Sequence, residues 1–418
     1  MDSDGISFQV MLIEQFFYPE GWSGAEIPRS IAIHLASRGI HVRALCGSDQ
    51  YAFVKDQASE NPEEYGVKIV RVPRLIRSAG IHRYKLLRQL WFYLASLPML
   101  LFRSPPTVYV SQTNPPLMPA IVAAVALIHR RDFVLIAMDL YPEVMFAHGM
   151  ARMDSLFGRF VSKLMGWAYG RATKVIALGP SMKERLLEKG VASDKVEIIS
   201  NWATGDVDIV RGPANTLAAK WGLTDFPVIL YSGNIGISHD ISAPILAFEK
   251  ALVSASALRL LFIGSGTRLQ EAKSLVSQRG LEDRVQFRGL VPIDQLPESI
   301  GVASVALVTL NPGFEGLVVP SKLLGYMARG VPTVYIGPPS DVSHLIEVSG
   351  GGVVYSNDDT DGIARFFASI GDNPDALHTL GSNARRYYNA HLSKELGLSQ
   401  YYDVICEAAT AESRSRKV

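Results

Sequence analysis

The stretch Gly313-Phe-Glu-Gly-Leu-Val-Val-Pro-Ser-Lys-Leu-Leu-Gly-Tyr-Met-Ala-Arg-Gly-Val-Pro-Thr-Val334 reads as a glycine-bearing loop, an abrupt helix start, a helix of about ten residues and a buried strand. Pro320-Ser321 supplies the start, because both residue types suit a first turn whose backbone N–H groups have no intrahelical acceptor. Lys322 stands in that same turn, where a cation opposes the helix dipole. An anion would account for it, since free N–H groups, the positive helix end and an ammonium all converge on phosphate. A solvated lysine beside an ordinary serine cap is the plainer alternative, and this stretch alone does not separate the two.

Loop, helix and strand make one beat of an α/β fold, and the beat recurs on both sides. Upstream, Val10–Ile13 reads as a buried strand, followed by the loop Tyr18–Gly24, a helix to Arg38 ended by Gly39, and a strand over His41–Cys46. Strands over Thr107–Ser111, Phe133–Met138, Lys174–Leu178 and Val196–Ser200 alternate with helices over Leu117–His129, Asp154–Arg171 and Ser181–Lys189. A less regular stretch with Gly205, Gly212 and Pro213 is the linker candidate. A second series then runs through strands Val228–Ser232, Arg259–Ile263, Val285–Arg288, Val305–Val308, Thr333–Ile336 and Gly352–Tyr355. Strands alternating with helices predict doubly wound parallel sheets, with ligands at the carboxyl ends of the strands. The expected domains are residues 1–204 and 205–393, with a C-terminal helix over about 394–410 as a candidate to pack back on the first.

Bulk properties agree with two well-buried cores: 418 residues, 48% hydrophobic and 19% charged. Cys46 and Cys406 match no metal or redox spacing, so a reducing compartment is expected. The start Met-Asp-Ser-Asp-Gly is acidic and leads straight into a strand, unlike a secretory signal, so the expected location is cytoplasmic. His82, His129 and His148 have no ligand spacing, and no metal site is expected.

Net charge is +1, yet no acidic residue lies between Glu64 and Asp132, an interval with ten lysines and arginines. Within it, Arg83, Lys85 and Arg88 alternate with Leu86, Leu90, Trp91, Leu94 and Leu97 until Pro98 stops the pattern. The interval 68–103 therefore predicts peripheral contact with an anionic membrane surface, the alternative being a core-facing helix with a solvated basic side. No run approaches the ~20 apolar residues a span needs. Glycine turns close two strands of the second half, Gly233-Asn-Ile-Gly236 and Gly264-Ser-Gly266, where backbone can approach a phosphate. Neither matches a dinucleotide fingerprint or a P-loop.

Taken in order, Tyr18–Gly24, Met138-Asp-Leu-Tyr-Pro-Glu143, Asn201-Trp202, Tyr231-Ser-Gly-Asn-Ile-Gly236, Phe262-Ile-Gly-Ser-Gly266, Val285-Gln-Phe-Arg-Gly289 and Val319–Pro332 resemble glycosyltransferase family four, of the GT-B fold. The closest likeness is to its bacterial polysaccharide members, which include fucosamine transferases. The resemblance implies two Rossmann-like domains facing a central cleft and a retaining, metal-independent transfer without cofactor. The donor would be a nucleoside-diphosphate sugar, UDP before GDP, held by the second domain. The acceptor, a lipid-linked saccharide at the inner membrane face, would enter from the first, and no nucleic acid is implied. The donor would lie against Gly233, Asn234, His239, Gly264, Ser265, Gly266, Arg288, Ser321 and Lys322. Asp139 and Glu143 would lie near the reacting sugar, helix capping being the plainer role for either. Gly21, Gly24 and Glu26 would face the acceptor, although Glu26 and Arg29 also suit a solvated first turn.

Three positions depart from the family pattern. Its paired glutamates align with Leu317 and Gly325, its arginine and lysine with Asn234 and His239, and its histidine before the aspartate with Met138. Lys322, with Ser321, is the candidate to replace the missing positive charge, and Glu315 the lost carboxylate. A sugar-nucleotide epimerase of the same fold and a catalytically silent nucleotide-sugar-binding scaffold remain the rival readings.

Overall fold

A computed structural model describes residues 8–19, 23–47, 61–73, 85–205, 207–319 and 321–415. Val10, Leu12, Ile13 and Val108–Val110 are wholly buried, the state of strands covered by helices on both faces. The chain divides into two α/β units. The described residues up to Ser200, with Gly316–Val318 and those from Glu395 on, form the first; Asn201–Glu315 and Val319–Lys394 form the second.

The first unit runs β1 (Gln9–Glu14), α1 (Ser23–Ser37), β2 (His41–Cys46), β3 (Lys68–Arg71), α2 (Lys85–Leu101), β4 (Val108–Gln112), α3 (Met118–His129) and β5 (Asp132–Ala137). It continues through α4 (Glu143–Ala147), α5 (Leu156–Arg171), β6 (Lys174–Ala177), α6 (Pro180–Glu188) and β7 (Val196–Ile198). Its seven strands lie in the order β3-β2-β1-β4-β5-β6-β7, all parallel. The order reverses between β1 and β4, a switch point of the kind where doubly wound sheets hold ligands.

The second unit runs α7 (Thr216–Trp221), β8 (Val228–Ser232), α8 (Ser242–Ala251), β9 (Arg259–Ile263), α9 (Leu269–Gln278), β10 (Val285–Arg288), α10 (Leu296–Gly301) and β11 (Val305–Thr309). After it come α11 (Lys322–Ala328), β12 (Thr333–Ile336), α12 (Asp341–Ser349), β13 (Gly352–Tyr355), α13 (Thr360–Ser369) and α14 (Pro374–His391). Six parallel strands lie in the order β10-β9-β8-β11-β12-β13, with the switch point between β8 and β11. Phe248, Phe262 and Phe367 are fully buried in its core. The last helix, α15 (Lys394–Ser415), packs in the first unit, where Tyr402 meets His34 edge-on at 6.3 Å and Glu407 pairs with Lys174 at 3.0 Å.

Three expectations need correction. The helix after Pro320 has seven residues rather than about ten, because Arg329 caps it and Gly330 turns left-handed at φ 63°. Pro98 does not stop α2, which continues through it to Leu101. On α2, Phe92, Ser96 and Leu100 are buried, while Leu86, Leu87, Leu90, Leu94 and Leu97 are exposed and Arg88 is half-buried, so these leucines do not follow the core-facing alternative. β3 was not foreseen, since Lys-Ile-Val-Arg offers only two apolar residues to a strand pattern. Arg74, Arg77, His82 and Arg83 lie outside the described residues.

Candidate functional site

At the switch point of the second unit, β8 ends at Ser232 and turns through Gly233–Gly236, and β9 ends at Ile263 and turns through Gly264–Gly266. The two turns join backbone to backbone. Gly233 N–H donates to the Ile263 carbonyl and Ile235 N–H to the Ser265 carbonyl, both at 2.8 Å. Gly264 has φ 138°, and a Cβ there would stand 2.0 Å from the Gly233 carbonyl oxygen. One on Gly266 would stand 2.2 Å from the Ile235 carbonyl oxygen. These glycines are therefore required by the contact of the turns with each other, apart from any ligand.

Lys322, the first residue of α11, reaches over this platform. Its amine donates to the Tyr231 hydroxyl at 2.5 Å and to the Asn234 carbonyl at 3.0 Å, and lies 3.1 Å from His239 Nε2. It also stands 4.1 Å from the Tyr231 ring centroid. His239 Nδ1 lies 2.8 Å from the carbonyl of Thr309, the last residue of β11. That contact assigns the ring proton to Nδ1, so Nε2 offers its lone pair to the lysine. Three ammonium donors thus meet three neutral acceptors, and among the described residues no carboxylate pairs with Lys322. The side chain as a whole is half-buried. The amine itself is enclosed by a ring, an imidazole and a carbonyl, and that enclosure governs its proton affinity.

Burial pushes the Lys322 amine down to about 7. Burial first, then the neighbouring Lys322 charge, pushes His239 down to about 3 and keeps it neutral. Tyr231 is raised above its ordinary value by burial and then by Tyr326. One turn beyond Lys322, the Tyr326 hydroxyl accepts the Ser232 N–H at 2.9 Å. Lys322 and Tyr326 thus pin α11 to the end of β8. Sequence reasoning missed Tyr231, Tyr326 and Arg268. Arg268 donates to the His239 carbonyl at 2.6 Å and is neutralised by Glu271.

The other donor-side candidates divide. Asn234 and Ser265 are exposed on the turns. Ser321 is exposed, lies in helical conformation and makes no side-chain cap, which corrects the expected serine cap. Arg288 is exposed, with its guanidinium 5.9 Å from the Trp221 ring and bonded to Gln286. The Glu315 carboxylate is engaged by Gly313 N–H at 2.9 and 3.1 Å. Gly325 lies within α11. Leu317 is buried, and its carbonyl accepts the Leu140 N–H at 2.9 Å.

In the first unit, Asp139 follows β5 and bridges to Val318. Thr113, just past β4, accepts the Met138 and Asp139 N–H groups at 3.0 and 3.1 Å. Burial pushes the Asp139 carboxyl up to about 6. Glu143 opens α4 and pairs with Lys189 rather than acting as a cap. Glu26 and Arg29 are buried, which corrects the solvated first turn expected there. Gly24 is half-buried in the first turn of α1, and Gly21 lies outside the described residues. Glu14, which ends β1 at this unit's switch point, went unnoticed in the sequence. Burial holds its carboxyl well above the usual range.

With this geometry in place, comparison with known proteins decides the family. Residues 25–202 match the glycosyl transferase 4-like domain and residues 215–387 the glycosyl transferases group 1 domain. Its two halves are glycosyltransferase domains. The chain is 26% identical over 301 residues to a Pseudomonas aeruginosa protein described as "Probable glycosyltransferase WbjE", covering 70% of this chain and 73% of that one. Among solved structures, HepE of Anabaena in complex with UDP-glucose matches with a TM-score of 0.69 at 16% identity, over 97% of this chain and 100% of that one. WaaG, a glycosyltransferase involved in lipopolysaccharide biosynthesis, matches with a TM-score of 0.64 at 16% identity, over 96% and 99%. The fold of this glycosyltransferase is therefore GT-B. Membership among the fucosamine transferases has no support of its own.

Proposed function

We propose that this chain is a retaining glycosyltransferase that moves a sugar from a nucleoside-diphosphate sugar, UDP before GDP, to a lipid-linked saccharide acceptor. The setting is cell-surface polysaccharide synthesis at the inner face of the membrane. One observation carries the reading: at the switch point of the group 1 domain, the enclosed Lys322 amine has only neutral partners. An ammonium held there gains from an anion, and a diphosphate is the anion that a nucleotide-sugar site must hold. Lys322 touches Asn234 and His239, the two positions where the family pattern has arginine and lysine. A single lysine from another element thus replaces both.

When the bond from the sugar's anomeric carbon to the diphosphate oxygen breaks, the electron pair stays on the diphosphate. Lys322 in its ammonium form meets that charge without rearranging. The acceptor hydroxyl attacks the same carbon and passes its proton to the departing diphosphate oxygen, which holds the released electron pair. Asp139, whose carboxyl is held at about 6, is largely ionised at neutral pH and is assigned to the acceptor side. Glu143 shares its charge with Lys189 and supports that loop. Neither metal nor organic cofactor enters this reading, since positioning and charge stabilisation suffice for the transfer. The UDP-glucose complex of HepE supports the uridine donor, and the role printed for WaaG supports the polysaccharide setting. Among the described residues no helix is long and apolar enough to cross a membrane. The basic interval 68–103 is assigned to peripheral attachment.

The test is to incubate purified protein with labelled UDP-sugars and a membrane extract. Label should move into the lipid-extractable fraction with release of UDP. Conversion of the free nucleotide sugar without acceptor would instead identify an epimerase. Nucleotide binding without any product would identify a scaffold.

A further inference from the structure

Helix α5 departs from what a helix closing a parallel sheet requires. Its inward face is ordinary: Gly158, Val161, Met165, Ala168 and Tyr169 are buried. Its outward face is not polar. Leu156 is 88% exposed and Phe160 63%, Phe157 and Trp167 are exposed as well, and the preceding turn adds Met150 and Met153. Apolar patches beyond a few hundred Å² are uncommon on monomeric soluble proteins and mark contact surfaces.

Topology says where this row sits. Sixteen residues span about 24 Å as helix. The strands that α5 joins have six and four residues, about 20 and 13 Å. Two residues separate the end of the helix from Lys174, so its excess length lies at the N-terminal end, past the carboxyl ends of the strands. Leu156, Phe157 and Phe160 therefore crown the edge from which Asp139 follows β5.

Charge narrows the partner. No acidic residue occurs between Asp154 and Glu184. Arg159, Lys163 and Arg171 are exposed on α5, and none makes an ion pair among the described residues. α3 packs against both α5 and α2, and α2 exposes its own leucines in the same helical layer. Apolar rings and leucines flanked by cations, with the carboxylate of Asp154 at the head of the helix paired to Arg152 at 2.9 Å, match an acyl boundary beneath anionic headgroups.

We propose that α5, with Met150 and Met153, is a bilayer-docking helix that lies in the headgroup region and seats Leu156, Phe157 and Phe160 at the acyl boundary. This inference rests on reading the acceptor as lipid-linked, and it adds a contact outside the basic interval 68–103. It sets the Asp139 edge of the first unit against the surface that carries the acceptor.

The experiment uses the full-length protein and vesicles of phosphatidylcholine with phosphatidylglycerol, some with brominated acyl chains. Wild type should bind, and bromine should quench a fluorescence component that the Trp167→Phe variant lacks. Leu156→Ser combined with Phe160→Ser should lower vesicle affinity about tenfold or more, with melting temperature and UDP binding unchanged. Vesicle binding equal to wild type in the double variant would overturn the proposal. So would a protein that is dimeric in the ultracentrifuge and made monomeric by the double variant with vesicle binding intact, since the face would then join two copies. UDP binding is followed in parallel; its absence in wild type would sink the donor reading while leaving the docking result to stand by itself.

Discussion

In the proposed reaction the chemistry turns on Lys322, and its neighbours make its behaviour calculable in sign. Losing one preorganised group that stabilises developing charge costs about 2.7–4 kcal/mol, or roughly 10²–10³ in rate. Lys322→Ala should lower turnover by that factor in the labelled-donor assay. Melting of the unliganded variant should be unchanged or slightly raised, because an enclosed cation is gone. The proton affinity gives an independent check. The folded amine is held at about 7 against the ordinary 10.5, so between those values the unfolded chain binds more protons. Unliganded stability should therefore rise as pH climbs through that window, and Lys322→Ala should lose this increment in denaturant titrations. A bound diphosphate pulls the amine back toward its ammonium form. Calorimetry at pH 8 in buffers of different ionisation enthalpy should then report proton uptake on nucleotide binding. His239, held neutral near 3, should contribute none.

Among elements, the paired turns after β8 and β9 are the backbone-bonded platform of the candidate site. Gly264→Ala would put its methyl group against the Gly233 carbonyl at a positive φ. It should cost about 2–3 kcal/mol by chemical denaturation and weaken nucleotide binding with it. A variant as stable as wild type would show that the turns can part. The turns were readable in the sequence because glycines closing buried strands announce them. Their mutual contact was not, since it joins segments about 30 residues apart through backbone alone. Helix α11 was readable in its start but not in its length, and the expected Ser321 cap failed because Ser321 itself takes helical backbone. α2 left two readings open for a physical reason. Helical periodicity shows that a stripe is apolar but not which way it faces, and here the leucines face outward.

For the molecule as a whole, alternation of apolar strands with helices made both doubly wound units legible. The switch points then follow from strand order. What the linear sequence could not show is convergence: Lys322 meets Tyr231 across 91 positions and His239 across 83. The glutamates and basic residues of the family pattern are missing from their usual places, so position-by-position carry-over does not reach the Lys322 cluster. The central claim is that a nucleoside diphosphate binds the second unit through Lys322, and thermal melting with UDP, with and without Lys322→Ala, tests it most directly. At a hundred times its dissociation constant the nucleotide should add about 2.7 kcal/mol to wild type, a clear rise in melting temperature, and little or nothing to the variant at the same concentration. An equal rise in both proteins, or none in wild type at millimolar UDP or GDP, would contradict the account.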